Sequence, residues 1–227
     1  MLMPGLSSMR VPMHVRLFVA LAVTWAVLAH LWDAILPAAG RETERLMLMV
    51  ASELLIGATI GLVTRLYMLA LQFAGSVIAM TGGFGGMPSA GVEEEEAQAP
   101  LTAIITLCAL IVLFTLDFHH EIIKALISSY EVIPPGGAFS PQGALIDITD
   151  TVSESFYLTL RLASPFIAYA ILANLAIGFV NKLAPQIPVY FVSLPFIIVG
   201  ALILLYFGIG VMLSLFADGV IPTTIGR

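Results

Sequence analysis

Long apolar stretches separated by short polar breaks set the layout of this chain. From Val15 to Leu36 the apolar run is interrupted only by Arg16, Thr24, His30 and Asp33. At about 1.5 Å per helical residue it can cross a hydrocarbon core of about 30 Å. Pro37 and Gly40 end it, and Arg41, Glu42, Glu44 and Arg45 form a solvated turn. Leu46 to Met80 repeats the pattern with Glu53 and Arg65 inside, and Leu101 to Leu116 is apolar throughout. Pro134, Pro135, Gly136 and Gly137 close the helix that follows and open a polar loop to about Thr149, where Thr149-Asp150-Thr151 supplies helix-start residues. Phe166 to Val180 carries no charged residue, and Leu183 to Ala217 contains no Asp, Glu, Lys or Arg. Between these runs sit Asn181, Lys182, Pro185, Gln186, Pro188 and, further on, Pro195. Proline has no N–H and pushes the preceding residue towards extended geometry, so helix, polar elbow and helix is the economical reading. The pattern predicts an all-α integral membrane protein of about five long apolar helices in hairpins. The last hairpin spans about 156–217, and the chain divides into an amino-terminal helical region, 1–145, and a carboxy-terminal one, 146–227.

Composition agrees: 227 residues are 59% hydrophobic and 11% charged. The net charge of −6 and the lack of a basic run argue against nucleic acid as a partner. A single cysteine, Cys108, excludes an intrachain disulfide. Arg10 and Arg16 precede an apolar stretch, but no A-x-A site closes it near Ala38-Ala39, so a cleaved signal peptide is not expected. On alternate flanks of five spans, Arg10, Arg16 and Lys182 face Arg41, Arg45, Lys124 and Arg227, a balance that assigns no orientation.

Few residues offer chemistry. Glu53 and Arg65 lie twelve residues apart, about 18 Å along a helix, and cannot pair with each other. Each is expected to face a cavity or a neighbouring subunit, since an unpaired charge in lipid costs at least a few kcal/mol. Gly57 and Gly61 form a small-xxx-small pattern suited to close helix approach. Glu154 and Arg161, seven apart, share a helical stripe. In Asp117-Phe118-His119-His120-Glu121 the adjacent histidines point about 100° apart on a helix, whereas a zinc helix presents histidines at i and i+4. Asp117 with Glu121 and His120 with Lys124 read instead as helix-face pairs, so no metal or cofactor is expected. No nucleophile–base pair or phosphate loop is present, and the chain reads as non-enzymatic. Residues 81–100 are the least regular stretch, with five glycines and two prolines ahead of and around Glu93 to Glu96. Thr81 to Gly91 reads as a flexible loop bearing isolated apolar side chains.

Three segments, in order, resemble the FliR/SctT family of export-gate membrane subunits. Asn181-Lys182-Leu183-Ala184-Pro185-Gln186 is similar to its Asn-Arg-x-Ala-Pro-Gln signature, with Lys182 where Arg is usual. The run from Asp117 to Ser128-Ser129-Tyr130-Glu131-Val132-Ile133-Pro134-Pro135-Gly136 resembles its Gly-His-His…Pro-x-Gly segment, and the Gly-rich stretch matches a third. Met1 to Pro12 resembles a segment that follows a complete first helix in the family, which implies that about one helix precedes it there.

The resemblance implies a FliP-like part at 1–145, a FliQ-like hairpin at 146–227, and a pore plug made by Gly82, Gly83, Phe84, Gly85, Gly86, Met87 and Pro88. It implies inter-subunit polar contacts by Glu53, Arg65, Arg161, Asn181, Lys182 and Gln186, with Pro185 and Pro188 shaping the hairpin elbow. Implied partners are FliP-like and FliQ-like membrane subunits, a FlhB-like export component, unfolded export substrates and membrane lipid, in a bacterial inner membrane at the flagellar basal body. The competing expectation is a small-molecule or ion transporter using Glu53, Arg65, Arg161 and Asn174 as a polar path.

Overall fold

The computed structural model describes residues 12–38, 43–84, 89–90, 97–134, 139–186 and 188–225. Six helices make up almost all of them: α1 (Met13–Ala38), α2 (Thr43–Thr81), α3 (Pro100–Thr115), α4 (Phe118–Val132), α5 (Pro141–Leu183) and α6 (Val189–Ile225). Between α2 and α3 a two-residue antiparallel ladder pairs Ser89 with Gln98 and Ala90 with Ala97. Among the described residues, four helices are long and apolar enough to cross a membrane, and the broken pair α3–α4 makes a fifth candidate span. The expected helical membrane architecture is therefore the one observed.

Two boundaries differ from the sequence expectation. The predicted polar loop to Thr149 is mostly helix, because α5 starts at Pro141. Ser140 is its N-cap: its Oγ accepts the Gly143 N–H at 3.2 Å and its carbonyl the Ala144 N–H at 3.1 Å. Proline at the first helical position needs no N–H donor and has its φ already set. The helix then runs through 145/146 without a break. The second difference is at Asp117, which was read as a helix-face partner of Glu121 and instead breaks the helix ahead of the histidines. Asp117 has φ 54° and ψ 29°, a left-handed conformation that asparagine and aspartate tolerate better than most residues. Its N–H reaches back to the Phe114 carbonyl at 3.2 Å, and its own carbonyl starts α4 by accepting the His120 N–H at 2.8 Å.

Pro165 lies inside α5 and removes the donor for the Arg161 carbonyl. The Ser164 hydroxyl donates to that oxygen at 3.0 Å, which lets the helix pass the proline. At the elbow, α5 ends at Leu183 and the Pro188 carbonyl starts α6 by accepting the Phe191 N–H at 3.0 Å.

The chain forms two compact units, each assembled from segments distant in sequence. One comprises residues 1–68, 113–154 and 220–227, the other 69–112 and 155–219. The buried residues of the first include Val27, Tyr67, Met68, Leu113, Phe118 and Thr151. The second has the better-filled core, with Leu71, Ile78, Ile105 and Phe216 fully buried. There α2 and α3 approach closely at Gly75, where a Cβ would lie 3.3 Å from the Thr102 Cα. Outside these cores large apolar side chains point outward along whole helices, with Leu183 85% and Tyr206 78% exposed. Burying such surface in lipid or against protein is favourable at about 25 cal/mol per Å², and patches of this extent mark membrane or protein contact.

Candidate functional site

The Gly-rich segment is described only at its root. Gly82 and Gly83 end α2 in a Schellman cap: the Phe84 N–H bonds the Ala79 carbonyl at 2.8 Å and the Gly83 N–H bonds that of Met80 at 3.3 Å. Gly83 takes φ +84°, the left-handed position this cap needs and the reason a glycine stands there. A Cβ at Gly82 would lie 3.0 Å from the Ala201 Cβ. One at Gly83 would lie 3.4 Å from Ile198 Cγ1 and 3.5 Å from Leu194 Cδ1. Two glycines expected to give a loose loop instead close a helix and let its end settle on α6. Phe84 is half-buried there. The other plug candidates, Gly85, Gly86, Met87 and Pro88, and the glutamates 93–96 lie outside the described residues.

The same stretch of α6 receives a side chain from α5. Tyr169 crosses into the space left by Gly200, where a Cβ would stand 2.7 Å from the tyrosine Cζ. Its hydroxyl lies 3.1 Å from the Ile197 carbonyl and 3.3 Å from that of Phe196, both as acceptors. Leu194, Ile197, Ile198, Gly200 and Ala201 thus seat the α2 cap and the α5 tyrosine within two turns of helix.

The polar positions divide into two groups. Glu53 was expected to face a cavity or a neighbour, and the chain itself supplies a donor: the Tyr130 hydroxyl lies 2.9 Å from its Oε2, both residues half-buried. The Tyr67 hydroxyl likewise donates to Glu154 Oε2 at 2.8 Å. The phenols stand 77 and 87 residues from their carboxylates, so no local spacing announced either tie. Arg65 is half-buried in the unit that holds these pairs. Arg161, Asn174, Asn181, Lys182, Pro185, Gln186 and Pro188 are all exposed.

The left-handed turn at Asp117 also gathers donors that helix periodicity keeps apart. His120 Nδ1 lies 3.5 Å and His119 Nε2 3.9 Å from Asp117 Oδ1, and one donor atom from each residue falls within 4.8 Å of the others. A metal-ligating imidazole normally hands its second N–H to an acceptor. His119 Nδ1 is buried with no hydrogen-bond partner among the described residues, and the ring lies tilted by 36° against Phe114 with centroids 5.8 Å apart. Among the described residues His119 thus has no acceptor for a second ring N–H, and the three side chains form the polar side of the helix break. The helix-face pairing on α4 runs from Lys124 to Glu121 at 2.7 Å, three residues apart rather than the expected four.

These features define a helical integral membrane protein whose outward surface is built for lipid or protein neighbours. The chain belongs to the bacterial export proteins, family 1, whose model matches residues 1–221. It is similar to the flagellar biosynthetic protein FliR of Caulobacter vibrioides, with 31% identity over 90% of this chain and 81% of that one. The Aquifex aeolicus protein of the same name is 30% identical over 89% and 78% of the two chains, and the Escherichia coli protein 26% over 85% and 72%.

Proposed function

We propose that this chain is a structural and gating subunit of the flagellar type III protein export gate, in the bacterial inner membrane at the flagellar basal body. It would form the export pore with FliP-like and FliQ-like subunits, contact a FlhB-like component, and pass unfolded flagellar proteins. Residues 146–227, which hold most of the α5–α6 hairpin, take the FliQ-like part, and residues 1–145 the FliP-like part. The observation that carries this reading is likeness along nearly the whole chain to proteins named for flagellar biosynthesis. The mechanism is steric: the segment from Gly82 to Pro88 blocks the lumen until substrate displaces it. Its supports are the buried cap at Gly82 and Gly83, which fixes where the segment leaves α2, and the exposed hairpin available to neighbours. Arg161 and Asn174 are exposed and Glu53 is bonded to Tyr130, an arrangement that does not favour a transporter's interior polar path. Deleting Gly82 to Ser89 in the assembled gate should preserve co-purification with the FliP- and FliQ-like subunits while making the membrane leaky to ions. A sealed membrane after that deletion refutes the plug.

A further inference from the structure

We infer that Tyr169 and Gly200 are positioning residues for the root of the Gly-rich segment, so that the α5–α6 hairpin and the α2 cap move as one part. The inference rests on the plug reading only for its functional consequence; the mechanical coupling stands on the contacts.

Three facts carry it. The α2 cap lies close against α6, with little more than the width of a methyl group between them: a Cβ added at Gly82 would stand 3.0 Å from Ala201 Cβ, and one at Gly83 3.4 Å from Ile198 Cγ1 and 3.5 Å from Leu194 Cδ1. The seat is held from a second side by Tyr169, whose hydroxyl bonds the carbonyls of Phe196 and Ile197. The seat also contains the one α6 glycine whose Cβ would be forced into that ring; Gly208 and Gly210, further along α6, have nothing within 4 Å. A hairpin stiffened by apolar packing alone would need neither the hydrogen-bonded phenol nor the missing Cβ. Close-packed interiors transmit small displacements rather than absorb them. A shift of α5 against α6 therefore reaches Ile198 and Ala201, and through them the cap at Gly83. A neighbouring subunit that grips the exposed outer faces of the hairpin acquires, through this seat, a lever on where the Gly-rich segment begins.

The test uses the full chain in its assembled membrane complex, carrying Tyr169→Ala, Gly200→Ala, both together, Tyr169→Phe or the control Leu172→Ala, whose side chain is 67% exposed on α5. Hydrogen exchange is followed at peptides covering residues 78–84, where the Gly82 and Phe84 amides bond the carbonyls of Ile78 and Ala79. Tyr169→Ala and Gly200→Ala should each speed exchange at these amides by about tenfold, a local opening well short of global unfolding. The double variant should add little to either, since both evict the same ring. Tyr169→Phe, which keeps the ring and loses the hydroxyl, should fall between wild type and Tyr169→Ala. Unchanged exchange in both single variants, or equal acceleration by Leu172→Ala, overturns the coupling. An ion leak is measured on the same membranes. Faster exchange without a leak leaves the coupling standing and counts against the plug, whereas a leak with unchanged exchange does the reverse.

Discussion

The tie between Tyr130 and Glu53 gives the sharpest energetic prediction. A hydroxyl 2.9 Å from a carboxylate oxygen is a charge-assisted bond, and bonds to charged groups contribute about 1.5–3 kcal/mol in soluble proteins. Two considerations lower that figure here. Both side chains are only half-buried, so solvent or headgroups compete for each. Side-chain bonds between membrane helices average only about 0.6 kcal/mol and reach about 1.7, because the unfolded chain also finds partners. Tyr130→Phe should therefore cost about 1 kcal/mol, within that range. In a Glu53→Leu background the same substitution should cost about 0.3 kcal/mol or less, the scatter expected of independent sites. Glu53→Gln, which keeps a carbonyl acceptor but no charge, should retain about half of the coupling. Unfolding is followed by circular dichroism as denaturing detergent is titrated into mixed micelles. An equal cost of Tyr130→Phe in both backgrounds would show that the phenol acts by packing and would refute the tie.

Other positions make contrasting predictions in the same assay. Gly83→Ala should destabilise by about 1 kcal/mol, because a residue with a Cβ resists the left-handed cap that φ +84° imposes. Gly57→Ala, in mid-helix with nothing within 4 Å, should be neutral or stabilise the chain by about 0.5–1 kcal/mol. A large loss at Gly57 would reveal an intrachain contact the structure does not hold. Ser140→Ala should cost about 1 kcal/mol and raise proteolysis near residues 140–144, as loss of an N-cap does; unchanged cleavage there would argue against the Pro141 start.

What the sequence made legible and what it hid follow from different physics. Apolar run lengths and prolines report local constraints, and they placed the membrane spans and the elbow between Leu183 and Val189 correctly. The break at Asp117 escaped because Asp117-Phe118-His119-His120-Glu121 holds no proline or glycine to announce it, and a left-handed aspartate leaves no periodic trace. The start of α5 was readable in Ser140-Pro141-Gln142, but the neighbouring glycines and prolines drew those residues into a loop. The glycines at 82 and 83 were read for flexibility, and the structure uses them to cap α2. Flexibility and capping ask for the same residue, and only the proximity of Ala201 and Ile198 separates the two uses. The Tyr–Glu ties could not be foreseen, since each joins residues that only the fold brings together.

Those ties also narrow the proposal about neighbouring subunits. A charge buried among helices must find an opposite charge or donors, and it is costly wherever it lies if it finds neither. Glu53 accepts a hydroxyl from its own chain, so its presence no longer requires a neighbour. Arg161, Asn181, Lys182 and Gln186 are in a different position. They are exposed and belong to the α5–α6 hairpin, where Leu183, Phe191 and Phe196 are exposed as well. Polar groups set within an apolar face are poor lipid neighbours but suit a protein interface, where an aromatic and aliphatic centre supplies affinity and the polar groups fix register. The proposed inter-subunit contacts therefore concentrate on the hairpin. It is the same element whose seat holds the root of the Gly-rich segment, so the proposed assembly and gating roles converge on one pair of helices.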